Sequence, residues 1–205
     1  MSKILKMETI SRTRVQIIPD EGEPFCLSVR DVRRLGLKED MELTGDLSAV
    51  LADLVRKECL RKCGSLLGAR DYSRQRLLDK LTEAGFPSSA AESALEELEK
   101  AGYVNDERYA ADYIRAHLGD RSRRRIEADL RQRGIPDQVV RAAFEALDTD
   151  PAREEEAQIR KWLEKKGRPD LDPDFRVRQK ALAALARKGY GMDAVRRAFS
   201  GAEEL

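Results

Sequence analysis

Residues 122–136, SRRRIEADLRQRGIP, decide how this chain folds. Ile126 and Leu130 are four residues apart, so they share one face of a helix and predict that this face is buried. Gly134 follows Leu130 by four residues, a position where glycine can take the left-handed conformation that ends a helix. The stretch therefore predicts a helix, a glycine turn and a second helix after Pro136.

The same pattern occurs three times, in register on Gly85, Gly134 and Gly189. Apolar residues recur eight and four residues before each glycine, and one and ten residues after it, with an alanine nine residues after it. The matching residues are Leu77, Ile126 and Ala181; Leu81, Leu130 and Leu185; Phe86, Ile135 and Tyr190; Ala94, Ala143 and Ala198; and Leu95, Phe144 and Phe199. This register indicates a repeated helical unit, which buries little core by itself and is expected to stack on its neighbours.

The three glycines are 49 and 55 residues apart, which leaves room for one further helix before each pair. We predict these helices at Leu47–Leu66, Asp106–Leu118 and Asp150–Lys166, with an insertion at Gly167–Pro173 in the last unit. The predicted fold is an all-α main body of three tandem three-helix, helix-turn-helix-like repeats in an elongated, curved arrangement. The predicted domains are a small β-rich N-terminal element at 1–47 and repeats at 48–105, 106–149 and 150–205.

The N-terminal element is predicted from β-branched residues and a turn signal at residues 19–24, PDEGEP. Strands are expected at Thr9–Ile18, Phe25–Val29 and Met41–Leu43. Asp31 is expected to cap a short helix, Val32–Leu35, that Gly36 closes.

Two further helix starts are predicted from capping signals. Ser89 and Glu92 have the spacing of a capping box. Asp150 precedes Pro151 and three glutamates, which is the order of a cap, a first-turn proline and an acidic first turn.

The composition favours a protein whose electrostatic function is local. Charged residues make up 38% of the 205 residues, against about 25% in an average globular protein. The net charge is nevertheless +1, so no global field attracts nucleic acid or membrane. No apolar run approaches the ~20 residues of a membrane span, and none follows a basic N-terminus, so we expect a soluble, cytoplasmic protein.

No group of residues in the sequence is typical of an enzyme, a metal centre or a cofactor site. Cys59 and Cys63 are four residues apart on a predicted helix, which favours buried thiols over a disulfide or a metal site, and Cys26 leaves the count odd. His117 is the one histidine, and no nucleophile motif or glycine-rich phosphate loop accompanies it. We therefore predict a non-enzymatic role without cofactor or metal.

The repeat pattern resembles the RecX family, regulators of the bacterial recombinase RecA. The first repeat carries the resemblance in Tyr72-Ser73-Arg74, Leu77-Leu78, Gly85-Phe86 and Gly102-Tyr103-Val104-Asn105-Asp106. The later repeats continue it with Arg125-Ile126 and Gly134-Ile135, and with Lys180, Leu185 and Gly189-Tyr190. Three positions depart from the family pattern: Ser122 replaces an expected glycine, Tyr113 a frequent tryptophan, and Ala184 a larger residue.

The resemblance implies a function as well as a fold. RecX proteins are curved, all-helical, non-enzymatic modulators that dock along or at the end of the RecA nucleoprotein filament. They inhibit RecA ATP hydrolysis, strand exchange and coprotease action, which links them to homologous recombination, DNA repair and the SOS response. Some bind single- or double-stranded DNA themselves, and we expect this chain to be a monomer.

Charge is segregated along the chain, and this predicts the contact surface. Residues 119–133 carry a net charge of +3 and residues 176–199 a net charge of +6, whereas residues 92–112 carry −5. Complementary patches of this kind steer and orient docking more than they supply affinity. The candidate residues for contact with RecA or DNA are Arg121, Arg123, Arg124, Arg125, Arg131, Arg133, Arg176, Arg178, Lys180, Arg187, Lys188, Arg196 and Arg197.

Three alternatives stay open at the level of sequence. The arginines of residues 121–133 could be a solvated helix face that pairs with Glu127 and Asp129. The chain could instead be a general DNA-binding protein, since arginine contacts to phosphate give affinity without sequence preference. A sequence-specific helix-turn-helix is less favoured, because the helix at Asp137–Leu147 offers few side chains that recognise base edges.

The aromatic residues are interpreted as packing residues and not as base-stacking platforms. This holds for Trp162 beside Ile159 and Leu163, and for Tyr103, Tyr109 and Tyr113. Tyr109 could also lie on a contact face.

Overall fold

The computed structural model describes residues 2–147 and 151–200. It divides into two compact units, Met1–Asn105 and Asp106–Leu205. Unit 1 contains a β-sheet element followed by three helices, and unit 2 contains six helices in the described ranges.

The N-terminal element is a four-stranded antiparallel sheet with one short helix. Its strands are β1 (Ser2–Thr9), β2 (Arg14–Pro19), β3 (Phe25–Ser28) and β4 (Glu42–Leu43), in the order β3-β2-β1-β4, with helix α1 (Val29–Leu35) between β3 and β4. Ile4, Ile17 and Leu27 point from this sheet into the core of unit 1 and are at most 1% exposed. Burial of their apolar surface holds the sheet on the helices that follow.

Two sequence predictions for this element were wrong in detail. The predicted strand Thr9–Ile18 spans a hairpin turn, in which the amide of Ile10 donates to the carbonyl of Arg14 at 3.1 Å. β1 was missed because its lysines and glutamate interrupt the apolar alternation, and Ile4 is its one fully buried side chain. Asp31 is not the cap of α1: the cap is Ser28, whose Oγ accepts from the amide of Asp31 at 3.0 Å.

Nine further helices follow in the described ranges, and they form three three-helix repeats, as the sequence predicted. The first repeat contains α2 (Gly45–Leu67), α3 (Arg74–Glu83) and α4 (Ser88–Lys100). The second contains α5 (Asp106–His117), α6 (Arg123–Gln132) and α7 (Asp137–Glu145). The third contains α8 (Pro151–Lys165), α9 (Phe175–Arg187) and α10 (Met192–Ser200), and the predicted insertion lies between α8 and α9.

The three register glycines end α3, α6 and α9 in the same way. Gly85, Gly134 and Gly189 have φ values of +78°, +77° and +85°, in the left-handed region that side chains rarely adopt. The amide of the next residue donates to the carbonyl five residues earlier: Phe86 to Leu81 at 3.1 Å, Ile135 to Leu130 at 3.1 Å, and Tyr190 to Leu185 at 3.3 Å. This hydrogen bond, with its apolar contact, is the Schellman motif.

The apolar register builds three separate cores. Leu81, Leu130 and Leu185 are all 0% exposed, and the residue after each register glycine is at most 6% exposed. The other register positions are buried too, except Ala143 and Phe199, which are partly buried at the edges of their clusters. Each repeat thus uses the same positions for its core.

Two predictions for the helical repeats were wrong, and one falls outside the described residues. Ser89 does not cap α4, which starts after Pro87; Glu92 instead pairs with Arg74. Tyr103 is not a packing residue, because it is 66% exposed. Trp162 does pack against the core of the third repeat. The predicted cap Asp150 lies outside the described residues.

The three cysteines are buried free thiols. Burial is the main cause that raises the pKa of Cys59 to about 12 and that of Cys63 to about 11. Both thiols therefore stay protonated at neutral pH and behave as small apolar side chains. No helix in the described ranges is long and apolar enough to cross a membrane.

Candidate functional site

The first cationic stretch lies on α6, which begins at a serine cap. The Oγ of Ser122 accepts a hydrogen bond from the amide of Arg125 at 3.3 Å. The arginines at the start of the helix face outward. Ile126 and Leu130 face inward and are fully buried. The arginines thus lie on the solvent side of a helix whose opposite side is core.

A buried carboxylate organises several of these arginines. The side chain of Asp129 is 8% exposed, with Arg121 at 2.7 Å and Arg125 at 3.2 Å from its oxygens. The hydroxyl of Tyr113 donates to the same carboxylate at 3.2 Å and accepts from Arg121 at 2.8 Å. Because a buried charge without partners is costly, Asp129 requires these cations for the stability of the repeat.

Tyr113 also supports Arg133. The guanidinium of Arg133 lies 4.4 Å from the centre of the Tyr113 ring, and it donates to the backbone carbonyl of Asp129 at 2.8 Å. Burial is the main cause that raises the pKa of Tyr113. The charge of Asp129 also raises this pKa, whereas the charges of Arg133 and Arg121 lower it. The phenol is therefore neutral at physiological pH and keeps its hydrogen bond to Asp129.

Two more arginines of α6 contact carboxylates of their own repeat. Arg123 pairs with Glu127 at 2.8 Å and lies 4.4 Å from the centre of the Phe144 ring. Arg131 pairs with Asp137 at 3.1 Å, and both side chains are more than 60% exposed. Exposed pairs of this kind contribute little to stability, so a stronger anionic partner can replace the carboxylate.

Arg124 differs from its neighbours. It is exposed on α6, and it forms no ion pair with any residue of 2–147 or 151–200. Its charge is therefore not compensated within the described chain.

The second cationic stretch extends over α9, the turn after it and α10. Four exposed cations in this stretch make no ion pair with a described residue: Arg176, Lys180, Arg187 and Lys188. Arg178 donates to the backbone carbonyl of Asp172. Arg196 lies 4.0 Å from Asp193, and Arg197 lies 3.7 Å from Glu156. The uncompensated cations of this stretch thus lie on α9 and at its end.

The two cationic stretches meet where the third repeat packs on the second. The Oγ of Ser122 donates to the carbonyl of Lys188 at 2.8 Å. A methyl group added to Gly189 would lie 2.8 Å from that Oγ and 3.8 Å from the Cβ of Arg124. The turn that carries Arg187 and Lys188 is therefore in contact with the start of α6. We call this contact the repeat 2–3 junction.

A second contact joins the same two repeats. The side-chain amide of Gln158 on α8 donates to the carbonyl of Leu118, at the end of α5. Within the third repeat, Glu155 on α8 accepts from the amide of Gly191 at 2.8 Å and so holds the turn after α9. Helix α8 therefore links the turn after α9 to the second repeat, since Glu155 binds the turn and Gln158 binds Leu118.

Sequence analysis missed this junction. Ser122 and Lys188 are 66 residues apart, and no local pattern relates them. The one signal was Ser122 itself, which departs from the glycine expected in the family pattern. Its hydroxyl explains the departure, since it caps α6 and also bonds the turn of the next repeat.

The site offers binding chemistry and no catalytic arrangement. The centres of the His117 and Tyr113 rings are 4.1 Å apart, so this histidine packs beside an aromatic ring. No group of three or more metal-ligating side chains occurs in the described part of the chain.

Three family models match the chain in order along its length. The first three-helix domain of RecX matches residues 59–98, the second residues 105–143 and the third residues 154–199. Two solved structures share the fold. One RecX crystal structure has a TM-score of 0.63 at 21% identity and covers 96% of this chain and 98% of its own. RecX from Lactobacillus salivarius has a TM-score of 0.61 at 18% identity and covers 74% and 98%.

Similar proteins include several that carry the name regulatory protein RecX. The one from Mycolicibacterium vanbaalenii is 32% identical over 151 residues, which are 71% of this chain and 80% of the relative. The one from Mycobacterium ulcerans is 33% identical over 138 residues, covering 66% and 76%. The one from Clostridium perfringens is 28% identical over 202 residues, covering 94% and 92%. With three domain models matched in chain order and relatives of this similarity, the chain belongs to the RecX family of regulatory, non-enzymatic proteins.

Proposed function

We propose that this protein binds the RecA nucleoprotein filament and modulates it, mainly by inhibiting RecA ATP hydrolysis, strand exchange and coprotease activity. It does so in the cytoplasm during DNA repair, as a monomer and without a cofactor. Residues 1–47, 48–105, 106–149 and 150–205 are the proposed functional divisions of the chain.

The repeat 2–3 junction is the observation that carries this proposal. It brings together two cationic stretches that are far apart in sequence, through the 2.8 Å hydrogen bond from Ser122 to the carbonyl of Lys188. A RecA filament on DNA is a long polymer with regularly spaced charges, and an extended cationic surface suits it better than it suits a small ligand. Because the net charge is only +1, the electrostatic attraction depends on local surfaces such as this one.

The proposed contact residues fall into two groups. The first group has no ion pair within the described chain: Arg124, Arg176, Lys180, Arg187 and Lys188. The second group is held by groups of its own chain and contributes less: Arg121, Arg123, Arg125, Arg131, Arg133, Arg178, Arg196 and Arg197. The first group needs no internal bond to be broken before it meets an anion.

The test measures ATP hydrolysis by RecA on single-stranded DNA. Purified protein, added in substoichiometric amounts at low salt, is expected to depress the rate. An unchanged rate over the full range of protein concentrations rejects the proposal.

A general DNA-binding protein is the second candidate, and the uncompensated cations at the repeat 2–3 junction favour it. It requires tight, salt-sensitive binding to single- or double-stranded DNA in the absence of RecA. The affinity should then fall linearly with the logarithm of salt concentration, and loss of one phosphate contact should reduce that slope by about one.

Charge reversal separates the two candidates. Arg124→Glu combined with Lys188→Glu changes two uncompensated cations at the junction. Arg12→Glu combined with Arg30→Glu makes the same change of charge at exposed positions of unit 1 and serves as the control. If the junction variant loses inhibition of RecA but keeps its affinity for DNA alone, RecA is the partner. Equal loss of both indicates the general DNA-binding protein.

A further inference from the structure

Unit 1 contains a groove that the cationic surface of unit 2 does not explain. It lies between the β2–β3 hairpin, α2 and α4, and has a volume of about 770 Å³. Pockets of about 300–1,000 Å³ are large enough to enclose a compact ligand group. We call this cavity the unit 1 groove.

The base of the groove is apolar, and its walls are lined by small side chains. Phe25 from β3 and Leu51 and Val55 from α2 line it, and Leu51 and Val55 are each 3% exposed. Small side chains leave the space open: Ser48 and Ala52 on α2, and Ser89, Ala90 and Ser93 on α4. The groove therefore offers apolar surface to a large side chain that enters from solvent.

The rim of the groove is acidic. Its charged lining consists of Glu21, Glu23, Asp53 and Arg56. Arg56 is itself engaged by Asp53 at 2.7 Å and by Glu97, so its charge is compensated. Asp53 is likewise compensated, by Arg56 and by Lys57 at 2.7 Å. The negative charge at the opening therefore comes from Glu21 and Glu23. It disfavours a phosphate backbone and favours a partner with lysine or arginine beside its apolar group.

The walls of the groove are held in place before any partner binds. Glu23 on the hairpin accepts from the backbone amide of Ser88 at 2.6 Å and from its hydroxyl at 3.1 Å. These bonds supply the N-terminal cap that α4 lacks, since Pro87 has no side chain that can provide one. The hairpin is thereby tied to α4, and a preformed cavity costs less ordering on binding.

We propose that the unit 1 groove is a protein-docking site that takes one or two large apolar side chains flanked by lysine or arginine. This inference rests on the proposed function, in which the protein partner is RecA. The acidic groove then contacts RecA itself, whereas the cationic surface of unit 2 meets the anionic parts of the filament.

The first test fills the groove. Ala52→Trp places a large side chain on an exposed position of the α2 wall, and Val50→Trp adds the same side chain at an exposed α2 position outside the lining. Ala52→Trp is expected to raise the concentration needed for half-maximal inhibition of RecA ATP hydrolysis about tenfold or more, as expected for loss of a central apolar anchor. Val50→Trp is expected to act like the unchanged protein.

The second test reverses the rim charge without altering the cavity. Glu21→Lys changes an exposed rim residue, and Glu42→Lys makes the same change at an exposed residue of β4 that is not itself part of the lining. Glu21→Lys is expected to weaken inhibition severalfold more than Glu42→Lys, and the difference is expected to shrink as salt rises. This pair decides the question if Ala52→Trp does not fold.

The outcomes distinguish the inference from the proposed function. If the unchanged protein inhibits RecA and both groove variants inhibit equally well, the groove inference is overturned and the proposed function stands. If the unchanged protein does not inhibit RecA, both are overturned. If Ala52→Trp weakens binding to an oligonucleotide alone by the same factor, the groove takes nucleic acid and the inference is wrong.

Discussion

The turns at Gly85 and Gly189 have the same backbone geometry and different neighbours. Both glycines are left-handed, and both turns close with a hydrogen bond from the next residue to a buried leucine. At Gly85 the nearest side-chain atom to an added methyl group would be the Sγ of Cys26, at 4.0 Å. At Gly189 it would be the Oγ of Ser122, at 2.8 Å.

The difference lies in what covers each turn. The β-element covers the first: Arg14 lies 5.2 Å from the centre of the Phe86 ring, and Glu23 binds Ser88. A second repeat covers the other, through Ser122. The same repeated turn thus joins a β-element to a repeat in unit 1 and a repeat to a repeat in unit 2.

The largest effect is expected at the buried leucine that lies four residues before each of the three register glycines. Leu130→Ala removes a fully buried side chain and should destabilise the protein by about 2–5 kcal/mol, because it leaves a cavity. Leu81→Ala and Leu185→Ala should cost similar amounts, since all three leucines are 0% exposed. Urea denaturation followed by far-UV circular dichroism measures the cost. A cost near zero at any one position would show that the repeats are not equivalent.

The next effect separates the two turns. Gly85→Ala should cost about 1–2 kcal/mol for left-handed strain alone. Gly189→Ala should cost about 1–3 kcal/mol more, because its methyl group would overlap the Oγ of Ser122. The measurement is urea denaturation of each variant followed by far-UV circular dichroism, with the fluorescence of Trp162, the one tryptophan, as a second probe for unit 2. Equal costs at the two glycines would show that the contact between Gly189 and Ser122 does not distinguish the two turns.

Ser122→Ala tests the junction from the other side. It removes the cap of α6 and the hydrogen bond to Lys188, and should cost about 1–2 kcal/mol. It also removes the atom that collides with an alanine at residue 189. In the Ser122→Ala background, Gly189→Ala should therefore cost about 1 kcal/mol less than it does alone. Strict additivity in this double-mutant cycle would show that the two residues do not meet.

The smallest effect is expected at high pH. The residue after the glycine is a titratable tyrosine in one of the two turns, Tyr190, and a phenylalanine in the other. Burial is the main cause that raises the pKa of Tyr190, and the charges of Glu155 and Asp120 add to it. The unfolded tyrosine then loses its proton first, at a pH of about 10. This residue's contribution to stability is therefore fully present below about pH 10 and is lost as the pH rises from there through the raised pKa of the folded state. Phe86, at the equivalent position, cannot titrate. Tyr190→Phe should flatten the fall in stability above about pH 10; an identical fall in both proteins would contradict the assignment.

Local chemistry made much of the fold predictable. Gly134 and its counterparts need a left-handed conformation, and the apolar spacing of four and eight residues repeats three times, so the helix ends and core positions followed directly. Predictions failed where a distant residue replaced a local signal. Ser89 resembles a cap, but Glu23 from the hairpin binds the start of α4 instead.

The candidate site was predictable only as a set of charges. The sequence indicated thirteen cationic residues, but it did not show that Asp129 and Asp137 engage Arg121, Arg125 and Arg131 while Arg124 has no such partner in the described ranges. Pairing of this kind depends on which helix faces meet.

By itself, the sequence determined that this protein is a chain of three helical repeats with glycine turns, because backbone conformation and helical periodicity depend on residues within one or two turns of each other. Only the tertiary structure decided which surface covers each turn, which cations remain uncompensated and where an apolar groove stays open. Those features depend on contacts such as Ser122 with Lys188, or Glu23 with Ser88, between residues more than 60 positions apart. Their energies come from packing and desolvation that no local pattern records.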